Sequence, residues 1–183
     1  MPDDALTFAP VTPETWPDLV RLFEGRGGPK HCWCAVWREL PPEDRKQRAA
    51  KRAAIEGAVR AGLPVGILGY VEGEPIAWCS VAPRETFRPL GGADYPPGTM
   101  VWSVVCFFAK RELRGHGIAA RLLNAACAEA AAAGAEVIEG YPVDPDSPSY
   151  RFMDFRSTFL SAGFEEVGRA GTRRHVMRRR LSA

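Results

Sequence analysis

Short apolar runs alternate along the chain with stripes at helical spacing. Residues 6–11 form an apolar run that predicts an opening strand. Thr12, Pro13 and Glu14 then predict a helix start, with a cap, a proline at the first helical position and an acid at the positive end of the dipole. That helix turns Trp16, Leu19, Val20 and Phe23 inward and ends in the glycines of 25–28. A second helix is predicted from Pro41 to about Ala61, with Ala54, Ile55, Ala58 and Val59 as its stripe. Residues 65–71 and 75–81 read as two strands joined by the hairpin signal Glu72-Gly73-Glu74.

The stretch 83–98, with four Pro and three Gly, predicts a surface loop. The longest apolar run, 101–109, predicts a buried central strand. An Ala-rich helix follows over 118–133, then a strand over 137–143. A last helix is predicted over 150–162 with Gly163 as its C′ residue, and strands 164–169 and 175–181 close the chain as an antiparallel pair. Most strand connections are too short for crossover helices. The fold class is therefore α/β: a single domain over 1–183 with a mixed, mostly antiparallel sheet flanked by helices.

Composition narrows the function without naming it. The chain has 183 residues, 46% hydrophobic and 25% charged, which excludes a fibrous repeat or a disordered tail. Twenty-four basic against 22 acidic residues leave a net charge of +2, so no global field calls for nucleic acid or anionic lipid. The nine-residue run 101–109 is about half of the roughly twenty needed to span a membrane. The acidic start lacks the features of a signal peptide. Five cysteines read as reduced thiols, and the expected location is the cytoplasm.

The chemically informative segment follows the central strand. Gly115-His116-Gly117 opens a helix, where glycines let backbone N–H groups face a ligand and the dipole favours a phosphate. Arg114 adds a positive charge beside it. Gly115 to Ala120 fits the dinucleotide fingerprint G-x-G-x-x-G/A, with Glu136 or Glu139 downstream for a ribose. That fingerprint should follow its strand directly, yet five residues intervene after Ala109. A doubly wound sheet would also need more βα units than remain.

The segment instead resembles the GCN5-related N-acetyltransferase (GNAT) family, whose signature Q/R-x-x-G-x-G/A is matched by Arg114-Gly115-His116-Gly117-Ile118-Ala119. The order of elements is similar over nearly the whole chain, including Gly163-Phe164 after the last helix. The resemblance implies acetyl-coenzyme A as acetyl donor. Its diphosphate would lie on Arg114, Gly115, His116, Gly117, Ile118 and Ala119. Its pantetheine arm would pair with Phe107, Phe108 and Ala109, which requires the central strand to splay from strand 137–143. The segment between the first two helices would border the acceptor, with Trp33, Trp37 and Arg38 shaping the pocket.

In the family the acid is often a Tyr four residues before the Gly of Gly-Phe; here that position is Phe159. Strand alternation puts Glu139 and Tyr141 on one face, where Glu139 can accept an amine proton and Tyr141 return one to sulfur. The bland alternative makes Tyr141 core and Glu139 surface, with Ser103 and Cys106 as weaker candidates. His31-Cys32-Trp33-Cys34 has the wrong spacing for a zinc site and reads as buried thiols with packing tryptophans; no metal is expected. The basic run 173–180 reads as a solvated edge strand, without the stacking aromatics of a nucleic-acid surface.

The reading is an N-acetyltransferase acting on a primary amine of a small molecule or peptide, by direct attack in a ternary complex, as monomer or homodimer. The alternatives are a non-catalytic acyl-coenzyme A binding or sensor module, which Phe159 favours, and more distantly a thiol or metal sensor built on His31, Cys32 and Cys34.

Overall fold

A computed structural model describes residues 6–113 and 116–181. The hairpin signal is realised as a tight turn, with Glu72 and Gly73 both at positive φ (49° and 78°), between β2 (Ile67–Val71) and β3 (Glu74–Pro83). Strand β1 (Leu6–Pro10) pairs antiparallel with β2, and β3 with β4 (Val101–Ala109). Helix α3 (Ile118–Ala132) crosses over to β5 (Val137–Gly140), the one parallel neighbour among the described strands. Strands β6 (Glu165–Ala170) and β7 (Arg174–Arg180) form the closing hairpin, and β7 pairs with β5. All seven strands belong to one sheet, ordered β1-β2-β3-β4-β5-β7-β6.

Both faces of this sheet are covered, which explains the continuous apolar runs. Leu68, Trp78 and Val105 pack on one face with Leu19 and Phe23 of α1 (Trp16–Glu24) and Ile55 and Val59 of α2 (Arg48–Arg60). Their chain neighbours Ile67, Cys79 and Val104 pack on the other face with Leu122 and Leu123 of α3 and Phe159 of α4 (Arg156–Ser161). Adjacent residues thus serve opposite cores.

Four expected boundaries move. Helix α1 is preceded by Thr15 rather than Thr12, because the Thr15 hydroxyl accepts the Thr12 N–H (2.9 Å) and holds 12–15 as a turn. The second helix is divided: a 3₁₀ turn at Asp44–Lys46, then extended Gln47, then α2. The expected helix 150–162 is broken too. Tyr150 (φ 62°) enters a 3₁₀ turn at Arg151–Met153, Asp154 (φ 64°) reverses the chain, and only 156–161 is α-helical. Gly163 (φ 77°) ends α4 as expected, and the Phe164 N–H reaches the Phe159 carbonyl at 3.0 Å.

The fourth change matters most. Strand β5 ends at Gly140 instead of Val143, and its pairing with β4 ends at Val104 opposite Gly140. Beyond this point residues 106–108 pair only with β3 among the described residues. Phe159 marks the divergence. Its ring lies so close to Gly140 that an added Cβ would sit 2.0 Å from Cε1, and it meets Phe107 edge-on at 6.1 Å. Gly140→Ala forces this ring to move. We expect a loss of roughly 2–3 kcal/mol, as for overpacked cores, read as a thermal midpoint about 5–10 °C lower. An unchanged midpoint would show that Phe159 has room to yield.

Candidate active site

Where β4 leaves β5, the sheet opens into a cavity of about 660 Å³. One wall is regular structure: Cys106, Phe107, Phe108 and Ala109 of β4 with Ile118, Ala119 and Leu122 of α3. The opposing wall is irregular, drawn from 29–37 and 151–155. Gly117 caps α3 in the left-handed region (φ 71°, ψ 10°), and the space its side chain would enter is open. The first turn of α3 contains no acidic residue, so nothing within it offsets the positive end of the dipole. A strand edge leading to such a helix head is a fit for an extended ligand ending in an anion.

The expected donor-binding residues therefore converge. Phe107, Phe108, Ala109, Ile118 and Ala119 line the cavity, and exposed His116 and Gly117 stand at the head of α3. Arg114 and Gly115 lie outside the described residues.

The expected acceptor residues divide. Trp37 lines the cavity. Trp33 does not: it is fully buried, stacked on Trp16 at 5.7 Å and tilted against Phe23 at 5.2 Å. Its role in a pocket is corrected to core packing, at a residue held at positive φ (48°). Arg38 is also corrected. Its guanidinium is buried 4.0 Å over the Phe87 ring and donates to the Thr86 hydroxyl (2.8 Å) and the Val65 carbonyl (3.0 Å). Burial lowers its pKa to about 10, and the residue braces three chain segments.

Glu139 and Tyr141 do share a face, but neither lines the cavity and both are fully buried. One Glu139 oxygen accepts from the Ala93 N–H (2.9 Å) and the Tyr95 hydroxyl (2.7 Å). The other accepts from the Tyr141 hydroxyl (2.8 Å) and Arg84 (3.2 Å). Burial first, then Glu139 (through its hydrogen bond to Tyr95 and its charge beside Tyr141), raises the pKa of both phenols, so they serve as steady donors. Ser103 completes the cluster, 3.1 Å from the Tyr141 hydroxyl. This geometry suits a charged clamp more than an acid–base pair. The clamp holds the 83–98 loop down, and Gly92 permits the approach, because a Cβ there would lie 2.2 Å from a Glu139 oxygen.

Several cavity residues carried no readable signal. Asp154 and Phe155 fall in a stretch predicted as continuous helix, where nothing in the sequence marks the left-handed turn at Asp154. Burial raises the Asp154 pKa, only partly opposed by the Phe155 backbone and the Thr158 side chain, and Oδ2 is buried without a hydrogen-bond partner. Cys34 and Cys106 meet with sulfurs 3.0 Å apart in the cavity wall. That contact, more than burial, pushes the Cys34 thiol up, and contact with Cys34 does the same for Cys32. Among the described residues no group of three or more His, Cys, Asp or Glu is placed to hold a metal. The terminal arginines are tied to their own chain: Arg178 to Glu165, Arg174 to the Leu90 carbonyl and Arg173 to Ser149. No described helix is long and apolar enough to cross a membrane.

The cavity thus lies where β4 parts from β5, beside the head of α3. The chain belongs to the acetyltransferase (GNAT) family, whose model matches residues 25–155. Its fold is shared with the yncA protein of Salmonella typhimurium, solved with acetyl-CoA (15% identity, 97% of this chain and 95% of that one, TM-score 0.59). It is shared with a ribosomal-protein-alanine N-acetyltransferase of Brucella melitensis (19%, 96% and 99%, TM-score 0.57). An AAC(6')-Ib structure in complex with ribostamycin and coenzyme A is similar as well (17%, 97% and 94%, TM-score 0.61). No curated protein sequence matches the chain.

The clamp makes a stability prediction. Glu139→Ala leaves Arg84, the half-buried Tyr95 phenol and the buried Tyr141 phenol without this acceptor. It is expected to cost about 3–5 kcal/mol in urea unfolding. A loss below 1 kcal/mol with a large loss of activity would return Glu139 to a catalytic role.

Proposed function

We propose that this chain transfers the acetyl group of acetyl-coenzyme A to a primary amine, by direct attack with both substrates in the one cavity. The observation that carries this is the release of β4 from β5 at Val104, which exposes a strand edge inside a cavity that also has a separate, irregular wall. Family membership and the fold shared with structures holding acetyl-CoA or coenzyme A support the same reading. In it, Phe107, Phe108 and Ala109 align the pantetheine arm. Residues Arg114, Gly115, His116, Gly117, Ile118 and Ala119 receive the diphosphate at the helix head. Backbone N–H groups of β4 are the donors available to the oxyanion that forms as the amine adds. Trp37 belongs to the acceptor side. Glu139 and Tyr141 act at a distance, by holding the sheet and the 83–98 loop in register.

The placement of Phe159 favours a second reading, a module that binds acyl-coenzyme A without turning it over. The ring is wholly buried against Gly140 and Phe107, so no proton donor occupies that place. Release of free thiol from acetyl-coenzyme A across an amine panel separates the two: turnover with any amine supports transfer, and tight binding without turnover supports the module.

Donor binding is tested directly at the helix head. Gly117→Asp adds a side chain at positive φ and a carboxylate beside the diphosphate. It is expected to weaken acetyl-coenzyme A at least tenfold, about 1.4 kcal/mol. Unchanged affinity by calorimetry in the folded variant would remove the diphosphate from this loop.

A further inference from the structure

The acceptor side of the cavity has a composition that selects among amines. Of the described residues lining the cavity, only Arg151 and Asp154 carry a formal charge. Arg151 is engaged locally: its guanidinium donates to the Pro145 carbonyl and lies 5.1 Å over the Phe155 ring. Asp154 is the single carboxylate, with Oδ2 buried and unpartnered. It is held at φ 64° although it is not glycine, a costly conformation for an L-residue that persists only where the surroundings impose it. Beside these charges the wall is flat and apolar. Trp37 stacks on Tyr150 at 6.2 Å, Tyr150 meets Phe152 edge-on at 6.2 Å, and Phe152 is 37% exposed.

We propose that the acceptor is a primary amine with one positive charge and a flat apolar body, its ammonium received by Asp154 and its body laid on Trp37 and Phe152. This rests on the acetyl-transfer reading above. A single carboxylate in an apolar cavity balances one ammonium. A polycation finds no second anion among the described lining residues, and the guanidiniums of Arg88 and Arg174 stand near it, 5.6 and 4.6 Å from the Trp37 ring. A peptide acceptor would leave its amides facing Val36, Trp37 and Phe152 without polar partners.

The proton inventory closes on the same residue. The ammonium gives one proton to the Asp154 carboxylate, and the freed nitrogen lone pair forms the bond to the acetyl carbon. As the carbon–sulfur bond breaks, the electron pair leaves on sulfur, which takes the second proton from the nitrogen. The products are amide and thiol, and Asp154 returns its proton to solvent. Burial raises the pKa of Asp154, which suits a group that must hold a proton for part of the cycle. The Phe155 backbone and the Thr158 side chain of α4 hydrogen-bond it, Arg151 of its own segment and Cys106 of the opposing β4 wall share the cavity lining with it, and the Cys79 thiol of β3 is pushed up chiefly by burial and in part by the Asp154 charge. The lining residues of α3 are uncharged.

The test uses the full chain with acetyl-coenzyme A and three probes: phenethylamine, kanamycin and an alanyl tripeptide. We expect kcat/KM for phenethylamine at least tenfold above both others, falling on the acid side as Asp154 takes up its proton. Asp154→Asn, a residue that tolerates positive φ, is expected to lower kcat/KM for phenethylamine about 100-fold or more, in the range for a lost general base. It should also abolish that acid limb and leave acetyl-coenzyme A affinity within threefold. Should that variant fail to fold, Phe152→Ala, at an exposed position, is expected to raise the phenethylamine KM roughly tenfold at constant donor affinity. Preference for kanamycin or the tripeptide, or a folded Asp154→Asn with full activity, would overturn the inference while leaving acetyl transfer intact. Failure of the wild type to bind acetyl-coenzyme A would overturn the transfer reading and this inference together.

Discussion

The parting of β4 from β5 is the constraint on which the rest depends. Two parallel strands that begin in register would normally continue to exchange hydrogen bonds, since an unpaired strand edge inside a protein is costly. Here the pairing stops after four residue pairs, Val101 to Val104 against Val137 to Gly140. The glycine at the last pair has no side chain, and the Phe159 ring takes that volume. Pro142, which has no N–H to give, follows two residues later, so continuing the ladder would gain little. The chain then returns through 150–155, which supplies the far wall. A single small residue and a single large one thus convert a ladder into a cavity.

A gap in a sheet must be supported from its other side, and the Glu139 cluster supplies that support. Glu139 lies one residue before the parting, paired across to Ser103 of β4 and Arg178 of β7. Its carboxylate is removed from water but receives four donors from three separate segments. A buried charge of this kind contributes little net stability over an apolar replacement, yet losing its partners is severe. Its consequence is geometric. Loop 83–98 and the chain at 139–141 are tied at one point, so the divergence of the strands occurs at a fixed place.

The regular half of this architecture was legible in the chain. Alternation and run length marked β4, the glycines before Ile118 marked the helix head, and Gly163 marked the end of α4. Each of these signals is local, set by a few neighbouring residues. The irregular half was not legible, for two physical reasons. Trp33, Cys34, Tyr150 and Asp154 all adopt positive φ without being glycine, so tertiary packing, not residue type, dictates those turns. In the sequence Glu139 reads as a surface or catalytic acid, because its partners Arg84, Ala93 and Tyr95 lie 44 to 55 residues away. Trp33 and Trp37 looked alike in sequence. The chain turns at positive φ at Trp33 and Cys34, and Trp33 packs in the core while Trp37 lines the cavity.

This division also separates two tasks. The wall we assign to the donor is built from β4 and α3, elements whose backbone positions follow from their own hydrogen bonds. The wall we assign to the acceptor is built from 29–37 and 151–155, where position depends on side-chain contacts such as Trp37 on Tyr150 and Cys34 on Cys106. A substitution in the first wall disturbs the sheet before it disturbs specificity. A substitution in the second changes cavity shape with few ladder bonds at stake, since 151–155 contributes only the bridge from Phe155 to Val143 and a few turn bonds. Loops on a rigid frame are where binding preference is most readily altered. The strain stored at Asp154 is consistent with that arrangement, because the frame, fixed at Glu139 and Gly140, can hold an unfavourable turn in place.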